Sequence, residues 1–168
     1  MNKNLFSASL RLFSLIFLLT FTIFAQNKVP EPKDILGFTP GDDYKLASWA
    51  KIVEYFQKLD AASDRVTFKE IGKTTEGKPF TYAVISSPDN LKKLDYYTKI
   101  NDQLADPRLI KRNDKKANEL IKKGKTFVLI THGIHSTEVG STLSSTLIAY
   151  RLASSNDKEI KKILDETI

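Results

Sequence analysis

Three side chains within one short segment have the chemistry of metal ligands. The segment is THGIHSTEVGS, residues 131–141; it holds His132 and His135, the two histidines of the chain, and Glu138 follows three residues after His135. Imidazole nitrogen and carboxylate oxygen are both good zinc ligands, and a spacing of three in a tight loop or helix start lets both point at one ion. Gly133 permits a positive φ or a close backbone approach. The same residues also allow a plain interpretation, in which a loop histidine bonds to a helix start and Glu138 lies favourably near the helix dipole.

The elements on either side of this segment determine where it lies. TFVLI precedes it, and this apolar, β-prone run predicts a buried strand. TEVGSTLSSTLIAYRLASS follows it and predicts a helix with Leu143, Leu147, Ile148 and Leu152 on one side. The histidines and the glutamate are therefore expected at the carboxyl end of a strand and the start of a helix, the edge of an α/β sheet where ligands bind.

The other elements predict an α/β fold in which helices cover a mixed sheet. An amphipathic helix is expected within residues 44–63, from apolar residues at helical spacing that should face the core: Leu46, Trp49, Ile52, Val53, Phe56 and Leu59. A β-hairpin is expected around the turn residues TTEGKP. Two helices follow in DNLKKLDYYTKINDQLAD and DKKANELIKKG, the second closed by Gly124, and a last helix begins after Asp157 as N-cap.

The N-terminus has the layout of a secretory signal peptide, residues 1–25. Lys3 and Arg11 supply the positive charge, Leu12 to Phe24 form a mainly apolar run, and Ala25 is a small residue at the cleavage point. The alternative is a membrane anchor, but the run is shorter than the roughly 20 residues that a spanning helix needs. We therefore expect a secreted or periplasmic protein with no stable membrane span after removal of the leader. Residues 26–43, rich in proline and glycine, predict an extended N-terminal arm.

Charge and cysteine content exclude two further classes of protein. The chain has a formal charge of +6 and no cysteine. No disulfide framework or lipid attachment to cysteine is therefore expected. Two of the positive charges belong to the leader, and the lysines are scattered along helices. Nucleic-acid binding needs a concentrated basic stripe, so no nucleic-acid partner is expected.

Two motifs resemble those of a known family. GIHSTE after FVLIT resembles the zinc-binding loop of the secreted zinc carboxypeptidases, the carboxypeptidase A-like family, which has the form Gly-Ile-His-x-x-Glu after an apolar strand. IGKTTEGKPFTYAVIS resembles the first hairpin of that family, with the matching residues Gly72, Thr74, Glu76, Gly77 and Lys78. The motifs occur in the family's order, and the resemblance runs from about Tyr44 to the end of the chain. Thr74, Glu76 and Lys78 are expected to serve the hairpin turn.

The resemblance implies a cofactor, a substrate and two site residues. It implies that zinc is bound, with His135 and Glu138 as the first two ligands, and that the C-terminal residue is removed from a peptide or protein with a free C-terminus. His132 lies outside the motif, so the resemblance makes it a loop residue. The alternative for His132 is a third ligand in a His-x-x-His-x-x-Glu cluster.

The chain departs from the family in two ways. Residues 88–124 are expected to be a helical insertion. No histidine follows His135 before Ile168, whereas the family's third ligand, carboxylate-binding arginines and general base all lie further downstream. We therefore expect no general base within this chain, and we interpret residues 44–168 as the N-terminal part of a longer catalytic domain, inactive and poorly stable alone. Two alternatives stay open: a secreted zinc amidase or deacylase of the same fold, and a non-catalytic secreted binding domain.

Overall fold

A computed structural model describes residues 28–168, so the predicted leader lies outside the described residues. In this part of the chain, helices precede and follow a two-stranded antiparallel sheet, which confirms the mixed α/β class. The elements are α1 (Pro32–Leu36), α2 (Trp49–Ala62), β1 (Val66–Lys73), β2 (Pro79–Ile85), α3 (Pro88–Lys92), α4 (Leu94–Ala105), a 3-10 helix (Pro107–Ile110), α5 (Asp114–Lys123), α6 (Val139–Ser154) and α7 (Lys158–Glu166).

The hairpin forms where the turn residues predict it. β1 and β2 pair from Val66 opposite Ile85 to Lys73 opposite Pro79, with one irregularity between Glu70 and Gly72. In the turn, the backbone N–H of Thr74 donates to the carbonyl oxygen of Lys78 over 2.8 Å, and the hydroxyl of Thr74 accepts from the N–H of Lys78 over 3.1 Å. Thr74 and Lys78 therefore serve the turn, as expected.

The N-terminal arm is not wholly extended, because it contains helix α1. Pro32 occupies the first turn, where its missing N–H costs nothing. Glu31 and Asp34 cap the start reciprocally. Gly37 ends the helix in the left-handed conformation, with φ of +81°. Leu36 is buried against α2 and α6, so the expectation of an extended arm was wrong for residues 32–36.

Helices α2 and α6 form the core through a face of α6 that the sequence did not predict. Tyr55 and Leu59 of α2 are fully buried and pack on Ala149 and Ala153 of α6. The hydroxyl of Tyr55 donates to the carbonyl oxygen of Thr146 over 3.3 Å. The small residues of α6 let the bulky side chains of α2 approach closely.

The apolar stripe predicted on α6 is correct at one end only. Leu143 is buried, but Leu147 and Ile148 are exposed. The buried positions of α6 are therefore Leu143, Thr146, Ala149 and Ala153. On α2, Ile52 and Leu59 are buried as predicted, whereas Trp49 is partly exposed.

The end of α6 is fastened by side chains at the entry to the hairpin. The hydroxyl of Ser63 donates to the carbonyl oxygen of Ala153 over 3.2 Å. The Nη1 atom of Arg65 donates to the carbonyl oxygens of Ser155, at 2.6 Å, and Leu152, at 3.3 Å. The last carbonyls of a helix have no partner within the helix, and Ser63 and Arg65 supply one. These contacts form the α6 clamp.

The end of α7 is fastened in the same way at the exit from the hairpin. The hydroxyl of Ser86 lies 2.9 Å from the carbonyl oxygen of Leu164 and 2.6 Å from that of Thr167. The amide nitrogen of Asn90 lies 2.9 Å from the carbonyl oxygen of Leu164 and 3.0 Å from that of Asp165. Ser86 and Asn90 are both buried. These contacts form the α7 clamp.

The segment expected to be a buried strand, TFVLI, is extended but not part of the sheet. Its one ladder contact is a parallel bridge between Thr126 and Thr167, in which Val128 N–H donates to the carbonyl oxygen of Ile168 over 2.8 Å. Val128 is 58% exposed and Leu129 is 87% exposed. The prediction of burial was wrong, because no strand among residues 28–168 lies alongside to cover this segment.

The region proposed as an insertion, residues 88–124, is helical as predicted. It contains α3, α4, the 3-10 helix and α5. Tyr97 and Ile100 of α4 and Leu120 of α5 are buried, and Gly124 caps α5. No helix within residues 28–168 is long and apolar enough to cross a membrane.

Candidate metal centre

His135 and Glu138 are joined by a tight turn that ends at the start of α6. The backbone N–H of Glu138 donates to the carbonyl oxygen of His135 over 3.0 Å, and the N–H of Ser141 donates to that of Glu138 over 3.2 Å. Glu138 is the N-cap residue of α6. The spacing of three residues therefore brings the two side chains together, and the start of α6 holds the backbone of the turn.

The two side chains meet at their donor atoms. Nδ1 of His135 lies 2.5 Å from Oε1 of Glu138, and the side chains are 70% and 51% exposed. At this distance Nδ1 carries a proton and donates it to the carboxylate. Zinc takes a ring nitrogen through its free lone pair, so a metal ion at Nδ1 would require the tautomer that carries its proton on Nε2.

The pair fits two positions of a tetrahedral zinc site. Zinc lies about 2.0–2.1 Å from nitrogen and oxygen ligands, which places neighbouring donor atoms about 3.3 Å apart. The 2.5 Å contact would therefore have to widen by about 0.8 Å, a shift of about 0.4 Å for each exposed side chain. Within residues 28–168, no third histidine, cysteine, aspartate or glutamate joins them in a metal-binding group. The described residues thus bring together two side chains with the chemistry of zinc ligands.

His132 is directed elsewhere in this structure. Its Nδ1 atom donates to the carbonyl oxygen of Ser141 over 2.9 Å, in the first turn of α6. This bond holds the ring against the helix, apart from the pair formed by His135 and Glu138. The geometry supports a role for His132 in supporting the loop.

Gly133 allows the loop to approach α6. Its φ is +64°, in the left-handed region that side chains disfavour. A Cβ atom at this position lies 2.4 Å from the hydroxyl oxygen of Thr142, far inside contact distance. The N–H of Gly133 donates to the hydroxyl of Ser141 over 3.3 Å. Two independent constraints, backbone angle and space, thus require glycine here.

An open cleft of about 340 Å³ adjoins His135. Its apolar lining residues are Leu46, Ala47, Trp49, Val139 and Leu143. Leu46 and Trp49 were expected to face the core, but they are 66% and 39% exposed. Their position depends on how the arm folds back over α6, and the helical spacing of apolar residues does not indicate that contact.

The sequence model of a family described as zinc carboxypeptidase matches residues 52–168. The matched region contains the hairpin, the turn with His135 and Glu138, and helix α6. No curated protein and no solved structure matches the chain.

Proposed function

The chain belongs to the zinc carboxypeptidase family, and from that membership we propose that it contributes to a zinc-dependent metallocarboxypeptidase. The reaction is hydrolysis of the C-terminal peptide bond of a peptide or protein with a free C-terminus. The observation that supports this best is the 2.5 Å contact between Nδ1 of His135 and Oε1 of Glu138 within the matched region.

In this proposal the two side chains act as zinc ligands. His135 binds through Nδ1 and Glu138 through its carboxylate, with the turn between them setting the distance. Zinc, when bound, supplies Lewis acidity towards a carbonyl and a low pKa for water. Because its carboxylate is committed to the ion, Glu138 does not act as the general base. We leave His132 outside the ligand set, and the bond from its Nδ1 atom to the carbonyl oxygen of Ser141 supports this choice.

The remaining groups of the reaction come from outside the described residues. A catalytic zinc site has three protein ligands and one open position, and residues 28–168 provide no metal-binding group of three. We infer that the third ligand and the general base are not among residues 28–168. Residues 26–168 alone are then expected to bind zinc weakly and to lack carboxypeptidase activity.

The ligand assignment is tested with three alanine variants of the protein as its host produces it. His135→Ala and Glu138→Ala should each lose bound zinc, measured by elemental mass spectrometry, and hydrolysis of N-acylated dipeptides with free C-termini. His132→Ala is the matched control and should keep its zinc. If His132→Ala alone lost the zinc, the proposed ligand set would be wrong.

We also propose that the protein is exported and that its mature form begins near Gln26. The support is the charged start, the short apolar run and Ala25. Mass spectrometry of the protein recovered from the exporting cell should give an N-terminus at or near Gln26. An intact Met1 on protein retained in the cytoplasm would contradict export.

A further inference from the structure

We propose that a cluster of cations within residues 106–125 binds the surface of an anionic membrane and holds the protein against the lipid headgroups. This basic face consists of Lys111, Arg112, Lys115, Lys116, Lys122 and Lys123. It lies in the region expected to be an insertion and takes no part in the candidate zinc site. The inference therefore does not rest on the proposed function.

Residues 106–125 hold the excess of positive charge that the chain has outside its predicted leader. They contain eight lysines and arginines and three acidic residues, a net charge of +5. The other residues between 26 and 168 contain 16 basic and 17 acidic residues, a net charge of −1. Lysines occur all along the chain, but outside this segment acidic residues balance them. The attraction to an anionic surface therefore comes from this segment.

The cations of α5 form two rows along the helix. Lys115 and Lys122 are seven residues apart, as are Lys116 and Lys123, and seven residues make almost two full turns. Each row therefore has its two cations on one side of the helix, about 10 Å apart along the axis. Leu120, the buried residue of α5, lies on the side opposite the row of Lys115 and Lys122. The packing of α5 on α4 thus presents that row to solvent.

The six cations of the basic face are exposed, and none of them forms an ion pair within residues 28–168. Arg108 differs, because the carboxylate of Asp106 accepts from its Nε atom over 2.7 Å and from its Nη2 atom over 2.8 Å. Asp114 and Glu119 lie among the cations in sequence, but neither is within ion-pair distance of them. The charges of the face can therefore meet phosphate oxygens, which form charge-assisted hydrogen bonds with lysine and arginine.

The turn before α5 holds two of these cations in an unfavourable backbone conformation. The angle φ is +55° at Lys111 and +53° at Arg112, in the left-handed region that residues with side chains disfavour. The N–H of Lys111 donates to the carbonyl oxygen of Arg108 over 3.0 Å, and that of Arg112 donates to Pro107 over 2.8 Å. Glycine would adopt this turn with less strain. Two consecutive cations at such positions point to a role beyond folding, because strained residues cluster at functional sites.

Two exposed aliphatic side chains adjoin the cations in sequence. Leu109 and Ile121 are each 62% exposed. A membrane interface accommodates both kinds of group, because headgroup phosphates attract the cations and the acyl boundary buries aliphatic side chains. A nucleic acid or another soluble polyanion offers these side chains no apolar medium. The combination favours lipid as the partner.

Vesicle sedimentation tests the proposal on the protein as its host produces it. The vesicles contain phosphatidylcholine alone or phosphatidylcholine with about 30% phosphatidylglycerol, and the bound fraction is measured after centrifugation. We expect saturable binding to the anionic vesicles and at least about tenfold weaker binding to the neutral ones. About 0.5 M salt should release the protein, because it screens exposed charges.

Two double substitutions test the location. Lys115→Gln with Lys122→Gln should weaken binding to anionic vesicles at least about tenfold, because each cation near the surface contributes about fivefold. Lys69→Gln with Lys78→Gln is the matched control: it removes the same charge from exposed positions of the hairpin and should bind within about twofold of the parent protein.

Two further variants separate charge, apolar contact and folding. Lys111→Gly with Arg112→Gly removes two cations and relaxes the turn, so it should weaken binding about tenfold without lowering the thermal unfolding temperature. Ile121→Ser keeps every charge and should weaken vesicle binding at least about threefold, because it removes an aliphatic group from the interface. Its binding to dextran sulfate, a soluble polyanion, should stay at the parent level.

Three results would overturn the proposal. The first is equal binding to neutral and anionic vesicles, and the second is a hairpin control that binds as weakly as the α5 variant. The third is unchanged vesicle binding in Ile121→Ser, which would assign the face to soluble polyanions. Zinc content measured on the same variants should equal that of the parent protein, so failure of vesicle binding and failure of the zinc site are separate outcomes.

Discussion

Replacing Asn90 with alanine should remove the centre of the α7 clamp and destabilise the protein by about 2 kcal/mol. Asn90 is 4% exposed. Its amide nitrogen lies 3.0 Å from the hydroxyl of Ser86, 2.9 Å from the carbonyl oxygen of Leu164 and 3.0 Å from that of Asp165. An amide has two hydrogens, so these three contacts amount to two full hydrogen bonds.

The size of the stability loss depends on which hydrogen bonds each acceptor retains after the substitution. A buried hydrogen bond contributes about 1 kcal/mol net, and an acceptor left without any partner costs about 1–3 kcal/mol more. The carbonyl oxygen of Leu164 still accepts from the N–H of Ser87 over 3.0 Å. That of Asp165 still accepts from Nζ of Lys125 over 2.5 Å. Neither carbonyl oxygen is left without a partner, and the hydroxyl of Ser86 can still donate to a carbonyl oxygen. The loss should therefore be close to two bonds, about 2 kcal/mol.

Urea unfolding followed by circular dichroism measures this loss. Asn101→Ala, at an exposed position of α4, is the control and should change the free energy of unfolding by less than about 0.5 kcal/mol. The slope of the unfolding transition should be the same in both variants. If Asn90→Ala lowered stability by no more than Asn101→Ala, the α7 clamp would contribute nothing and the reasoning would fail.

Three further results are expected. Gly133→Ala should lower the free energy of unfolding by about 2 kcal/mol or more, because it adds left-handed strain to the clash with Thr142. In a Thr142→Ala background the loss should fall to about 1 kcal/mol, and equal losses in both backgrounds would contradict the clash. Leu129→Lys should change the free energy of unfolding by less than about 0.5 kcal/mol. It should reduce self-association in analytical ultracentrifugation, because an exposed apolar edge favours pairing with another chain. Unchanged association would show that this edge does not drive pairing. Burial raises the pKa of Tyr55, so its contribution to the free energy of unfolding should be fully present below a pH of about 10. Above that pH the contribution should decline, because the tyrosine ionises in the unfolded chain first. Tyr55→Phe should remove part of that decline in alkaline urea titrations, and an identical decline in both proteins would refute the role of Tyr55.

The parts of the fold that depend on local chemistry could be predicted from the sequence. TTEGKP fixes the hairpin turn, Gly124 ends α5, and the side chain of Asp157 accepts from the N–H of Glu159 at the start of α7 over 2.7 Å. The turn that joins His135 to Glu138 is local in the same sense, since three residues and a helix start suffice to bring the side chains together. Whether the pair binds zinc stays a prediction.

The parts that depend on distant partners could not be predicted. TFVLI has the composition of a buried strand, but composition does not supply a neighbour, and Leu129 lies in solvent. On α6, Leu147 and Ile148 are the larger apolar residues, yet Ala149 faces the core because Tyr55 needs a small partner. Helix α1 was missed although Pro32 and Gly37 mark its two ends, since the prolines nearby favoured an extended arm.

The two clamps have a consequence for the order of folding. The hairpin closes over a few residues and can form within microseconds, but the α6 clamp joins residues about 90 apart in sequence and the α7 clamp joins residues 74 to 81 apart. Contacts of such long range carry the largest loop-closure entropy and form late. Interactions that are absent from the transition state act mainly on the rate of unfolding. We infer that Arg65 and Asn90 set the lifetime of the folded state. Their alanine variants should therefore unfold faster, which raises the unfolding limb of a chevron plot and leaves the refolding limb unchanged.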